Sequence, residues 1–276
     1  MSRKSCCLRE ACPSLKYPRR WDLMTITIFR ECSKSEADIH LRRTYVWHSP
    51  SLRAEDNKEV NMLKKLYEKN KILFAVVWIV AYCVLMSVGD ALSEMIGIEK
   101  IITLPIGILL SVALTAFLKK NKLFGEYGIC RPEVSARKML YYIPVLVMLT
   151  ANLWFGISLN CGVPEALLYV FSMLCVGFLE ELVFRGLLFN AMRKDNLKAA
   201  VIVSSVTFGI GHIINLVNGS GAELVPNLLQ IVYATAAGFM LVMMYYKSKS
   251  LVVCIAAHGI FNAMSVVANE AVQTVV

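Results

Sequence analysis

The chain reads Phe178-Leu179-Glu180-Glu181-Leu182-Val183-Phe184-Arg185-Gly186 inside a long apolar run. Charges in a bilayer core cost at least about 2.5–3.5 kcal/mol each, so three ionisable side chains within six residues need a reason. At about 100° per residue, Glu181 and Arg185 share a helix face and can pair. Glu180 then points about 100° away, without a partner on its own helix. A carboxylate stranded in low-dielectric surroundings suits general acid–base work. The plainer alternative is a structural ion pair with a spare acid.

Histidine placement favours chemistry. Of four His, two lie near the N-terminus (His40 and His48), while His212 and His258 both fall inside apolar runs. His212 closes Phe208-Gly209-Ile210-Gly211-His212, which puts Phe208 one turn before it on the same face. His258 and Asn262 are likewise four apart on one face. A lone His in a core is usually structural, but two intramembrane His, one Asn and an unpaired Glu are harder to dismiss together.

The elements that must bring these groups together are set by composition. The 276 residues are 57% hydrophobic, against about 45–50% for a soluble domain, and the mean hydropathy is +0.57. Residues 1–71 hold 16 of the 29 Lys+Arg and 9 of the 20 Asp+Glu, net +7, leaving +2 for the other 205. A basic, polar leader therefore precedes a body that must be solvated by lipid, which excludes an ordinary soluble enzyme. Runs long enough to cross a bilayer fall at about 72–97, 101–118, 139–160, 166–191, 199–217, 224–246 and 251–270. Only helices satisfy their own backbone there, and the alternation of barrel strands is absent. The expected fold is all-α: a polytopic transmembrane bundle of about seven spans, residues 62–276. Asp90 and Glu94, near the far end of the first run, are read as interfacial and given no chemistry.

Loop charges orient the bundle. Lys64, Lys65, Lys69 and Lys71 precede the first run, and Lys119, Lys120, Lys122, Arg131, Arg137 and Lys138 follow the second. Arg193, Lys194 and Lys198 follow the fourth, Lys247 and Lys249 the sixth, while 161–165 and 218–223 contain no Lys or Arg. The basic loops and the N-terminus are thus expected in the cytoplasm of a bacterial-type plasma membrane. At 1.5 Å per residue, Glu180, His212 and Asn262 lie roughly 20 Å from their basic flanks and His258 roughly 14 Å, one common layer.

Residues 1–61 contain no signal-peptide core. They are expected to be disordered, a cationic tail on anionic lipid, or not translated, with the start at Met62. Lys58-Glu59-Val60 can be encoded by codons containing a bacterial ribosome-binding sequence. The nine cysteines show no C-x-x-C spacing. Cys83, Cys175 and Cys254 read as small hydrophobes, so neither a disulfide framework nor a structural zinc site is expected.

Glu-Glu-x-x-x-Arg at 180–185, Phe-x-x-x-His at 208–212 and His-x-x-x-Asn at 258–262 resemble, in order and spacing over about 160–270, the motifs of the CPBP (Abi) family. Those intramembrane endopeptidases include CAAX prenyl proteases and bacterial proteins linked to bacteriocin maturation and immunity. The resemblance implies that Glu180 activates water with help from His212, and that His258 and Asn262 stabilise the oxyanion. Glu181 and Arg185 would orient the helix and Phe208 would pack beside His212.

The sequence leaves metal involvement open. Glu180, His212 and His258 are donor types that suit zinc. The His-Glu-x-x-His motif is absent and Asn is an unusual ligand, so the balance leans towards water activated without metal. The expected substrate is a membrane-associated peptide or protein, prenylated or bacteriocin-like, reached from the cytoplasmic side. No nucleic-acid partner is expected, because the excess charge reports orientation. The alternatives are an idle immunity or partner-binding protein and, more remotely, a transporter with a Glu180–His212 proton relay.

Overall fold

The computed structural model describes residues 62–139, 143–154, 156–159, 161–216 and 223–268. The expectations for the first 61 residues lie outside the described residues. The chain divides into Met1–Glu59 and Val60–Val276, and the described helices belong to the second unit.

Five helices are long and apolar enough to cross a membrane. They are α1 (Lys71–Ile96), α2 (Thr103–Lys120), α4 (Val163–Met192), α5 (Leu197–Gly211, continued as a 3₁₀ turn His212–Leu216) and α6 (Leu224–Ser248). Two shorter apolar helices, α3 (Ile143–Thr150) and α7 (Leu251–Met264), bring the apolar elements to seven among the described residues. Local chemistry fixes the boundaries. The Asn70 side chain accepts the Leu73 N–H at 2.9 Å to cap α1, and Asn196 does the same for α5 through Ala199. Gly97, at φ 78°, ends α1 in the left-handed conformation that a glycine adopts without strain. Pro164 sits in the first turn of α4, where its missing N–H costs nothing.

Expected and observed elements differ most at the third run. Instead of one helix over 139–160, α3 gives way to a 3₁₀ turn at Ala151–Leu153. The chain then turns through Gly156 (φ 96°) and runs extended, with Ile157 bridging Ala268. The far end of that run therefore pairs with the end of the seventh run. The seventh run is also shortened, its last turn tightening to 3₁₀ at Ser265–Val267. Apart from that isolated bridge, the described residues contain no strand.

Helix α4 is the axis of the bundle, contacted by α1, α2, α5 and α7. It crosses α7 with backbones touching: a Cβ on Gly177 would lie 2.7 Å from Gly259 Cα. At the α5–α6 crossing a Cβ on Gly209 would collide with Thr235 Oγ1. Small residues at such crossings are how lipid-embedded helices gain close packing.

The outward faces are apolar as well. Val76, Val80, Val84 and Val88 of α1 are exposed, while Phe74, Trp78, Tyr82 and Met86, at the same spacing on the opposite face, are buried. A helix apolar on both faces is one that packs inward and meets lipid outward.

Candidate active site

From Glu181 to Phe189 helix α4 relaxes into a π-helical stretch with wider turns, a feature often found at functional sites. Every residue in it is buried, including Glu181 and Arg185. Arg185 Nη1 lies 3.0 Å from Glu181 Oε1, as the i, i+4 spacing predicts. The guanidinium also stacks 4.1 Å from the Phe208 ring centroid, so an aromatic face takes up charge that no water can reach.

The second carboxylate is not stranded. His258, reaching in from α7, lies between both acids: Nδ1 donates to Glu181 Oε1 at 2.8 Å, and Nε2 is 3.5 Å from Glu180 Oε2. The other oxygen, Glu180 Oε1, accepts a 2.8 Å hydrogen bond from the Tyr82 hydroxyl of α1. Glu180 thus lacks a partner on its own helix, as expected, but gains two from others. The cluster holds two carboxylates and one guanidinium. Among the described residues, His258 is the one titratable base packed against both acids.

The Phe208 ring is a hub, edge-on to His212 (5.4 Å), His258 (5.5 Å) and Phe184 (5.4 Å). His212 Nδ1 donates to the Phe208 carbonyl at 3.2 Å, which leaves Nε2 as the ring nitrogen with bonding capacity to spare. His258 therefore lies beside Glu180, while His212 lines the same cavity. Helix rotation and the π stretch, which residue spacing does not capture, decide between the two histidines.

Glu180, His212, His258 and Asn262 all line one cavity of about 540 Å³. Its remaining polar lining includes Tyr82, Asp90, Lys100, Asn152, Asn215 and Gln230. Tyr82 and Asp90 were missed by sequence reasoning. Their signal was the stripe Phe74, Trp78, Tyr82, Met86, Asp90, each four residues from the last, whose later members turn polar. Asp90, read from sequence as interfacial, accepts from Thr103 Oγ1 (2.6 Å) and Lys100 Nζ (2.9 Å) at the cavity wall.

The cavity lies on the side of the bundle away from the basic loops. Its lining comes from the second half of α1, the first residues of α4 and α6 through their middles, and the ends of α5 and α7. Those segments point away from the basic loops. Towards the basic loops the floor is closed by Leu182, Val183, Leu187, Val242, Met244 and Leu251, all buried.

Among the described residues no three His, Cys, Asp or Glu side chains are grouped to hold a metal ion. His258 spends both ring nitrogens on Glu180 and Glu181, and His212 spends one on a carbonyl. The donor set does not fit zinc, and no step is routed through it. Cys83, Cys130, Cys161, Cys175 and Cys254 form no disulfide.

The basic end is tied together separately. Lys71 Nζ donates to Glu126 Oε1 at 2.7 Å, and the Tyr127 hydroxyl donates to Tyr67 at 2.9 Å. Burial pushes the Glu126 carboxyl up, but Lys71 outweighs it and holds the group below the usual carboxylate range. Burial, reinforced by the bond to Tyr67, pushes the Tyr127 phenol well up.

Residues 162–264 match the family described as type II CAAX prenyl endopeptidase Rce1-like. The chain is also similar to "Putative membrane peptidase YdiL" of Bacillus subtilis (strain 168), 31% identical over 102 residues, 37% of this chain. The chain covers 36% of that relative's length. No solved structure matches.

Proposed function

We propose that this chain, which matches the type II CAAX prenyl endopeptidase Rce1-like family over residues 162–264 and is similar there to a membrane peptidase relative, is an intramembrane endopeptidase using Glu180-activated water. The observation that carries this reading is the His258 bridge between Glu180 and Glu181 at the floor of a polar cavity.

Tyr82 occupies one oxygen of Glu180 and leaves the other for water and His258. As the water oxygen bonds to the scissile carbonyl carbon, its proton passes to the Glu180–His258 pair. The Asn262 amide, and His212 through Nε2, line the same wall and suit the oxyanion. Collapse of the tetrahedral intermediate breaks the C–N bond, and the stored proton goes to the leaving amine. Glu181 and Arg185 hold His258 and the π stretch in place. This division of labour differs from the one implied by family resemblance in exchanging the two histidines.

The reading includes seven spans with the N-terminus in the cytoplasm, which the distribution of Lys and Arg supports. The substrate class is a peptide segment of a membrane-associated protein, since the cavity lies within the lipid-facing belt. The test uses the purified full chain with prenylated and unprenylated fluorogenic peptides, each in wild type and Glu180→Gln. Cleavage that survives in the variant removes Glu180 from the mechanism.

A further inference from the structure

The bundle has two chemically distinct ends. One is held together by Lys71–Glu126, Tyr127–Tyr67, Asn190–Tyr245 and the Leu251 N–H on the Gly128 carbonyl. The other is held by the Glu99 N–H on Glu165, Asn227 on the His212 carbonyl and Asn152 on the Phe261 carbonyl. Among the described residues the first end carries fifteen Lys and Arg against four acids: Glu68, Glu126, Glu133 and Asp195. The second carries Asp90, Glu94, Glu99, Glu165 and Glu223, with Lys100 its single Lys or Arg among the described residues. By the rule that basic loops stay in the cytoplasm, the acidic end faces outward.

The cavity leads from Glu180 to that acidic end. Beyond His258 its wall continues through Asp90, Lys100, Asn152, Tyr169, Gln230 and Ser265, all on the acidic side of the catalytic layer. The opposite direction is closed by fully buried side chains, among them Leu182, Val183, Phe189 and Val242. The polar wall offers amide and hydroxyl partners to a peptide backbone, which an acyl or prenyl chain does not need.

We propose that the active site takes its peptide from the non-cytoplasmic side, so the substrate is an exported or outer-leaflet-anchored polypeptide and not the cytoplasmic C-terminus of a prenylated protein. The identity of the occupant as a substrate rests on the peptidase reading, whereas the direction of access is independent of it.

Access is tested by cysteine labelling in the full chain. The cavity probe is Ser87→Cys in a Cys83→Ala background, since Ser87 lines the cavity outside the catalytic cluster. The end markers are Glu94→Cys at the exposed acidic end and native Cys130, exposed at the basic end. Intact cells receive a membrane-impermeant cationic thiosulfonate, and labelled positions are read by peptide mass spectrometry. Positions 87 and 94 are expected to label in intact cells, and Cys130 only after the membrane is opened. Labelling of position 87 only after opening, or not at all, overturns the proposal.

A second arm offers an acylated fluorogenic peptide to spheroplasts and to inverted vesicles. Cleavage confined to inverted vesicles overturns outward access while the peptidase reading stands. No cleavage on either side or in detergent overturns the peptidase reading, and the labelling result still decides the direction.

Discussion

The Tyr82 hydroxyl donates to Glu180 Oε1 at 2.8 Å across a sequence separation of 98 residues. It joins the first membrane helix to the central one at the carboxylate proposed to activate water. A donor fixed on one oxygen selects the other for the proton, which makes Tyr82 a positioning residue. Tyr82→Phe is expected to lower kcat by roughly tenfold to a hundredfold, the worth of one hydrogen bond to a charged group, with KM little changed. An unchanged kcat in the peptide assay removes Tyr82 from the site.

Glu180→Gln and His258→Ala each remove one half of the proposed acid–base pair. Both are expected to reduce kcat by about 10²–10⁴ while leaving the protein folded. Circular dichroism in detergent checks the fold and single-turnover cleavage checks the rate. Because the two act as a unit, the double variant should be little worse than either single one.

Arg185 is wholly buried against Glu181. Arg185→Met alone leaves an uncompensated carboxylate and is expected to cost about 3–5 kcal/mol of stability. Adding Glu181→Gln removes that charge and should restore more than half of the loss. Thermal aggregation midpoints of the three proteins in one detergent test this. A double variant as unstable as Arg185→Met contradicts the role of the unpaired charge.

Two glycines give opposite expectations for the same substitution. Gly177→Ala drives a methyl to 2.7 Å from Gly259 Cα, so α4 and α7 must separate, at a cost of about 1–3 kcal/mol. That movement carries His258 away from Glu180 and should lower activity as well. At Gly211 a Cβ meets nothing within 4 Å, so Gly211→Ala should be close to neutral in both measurements.

Glu126 supplies a pH signature at the basic end. Its carboxyl is held below the usual range in the folded protein. The unfolded chain therefore binds the proton more readily, and folding gains stability above the ordinary Glu value of about 4.3. That gain is lost as pH falls through the lowered folded value. The group is largely exposed, so Glu126→Gln should cost only about 0–1 kcal/mol at neutral pH. The gap between variant and wild type should close in acid. A gap that widens with acidification has the wrong sign for a carboxyl held low by Lys71.

The polar core was visible in the sequence because charge in an apolar run is conspicuous. The Glu181–Arg185 pair followed from spacing alone, and the depth arithmetic brought Glu180, His212, His258 and Asn262 to one layer, where they line one cavity. The partner of Glu180 was not legible. That choice depends on how α7 rotates about the Gly177–Gly259 contact and on the π stretch, neither of which leaves a mark in periodicity. Tyr82 escaped notice since a phenol on a buried aromatic stripe reads as packing. The direction of the cavity depends on where bulky side chains stack between helices, as Leu182, Val242 and Leu251 do, which no single helix records.

The sealed floor beneath Glu180 has an energetic meaning for the cell. A pore through the bundle would let protons run down a membrane potential worth about 2.3 kcal/mol per charge per 100 mV. The layer of Leu182, Val183, Leu187, Val242 and Leu251 makes the cavity a blind well instead. Water and protons can reach the acid from one bulk phase without bridging to the other. The proposed hydrolysis inside the bilayer would thereby be insulated from the gradient across it, and peptide fragments would leave by the mouth or sideways into lipid.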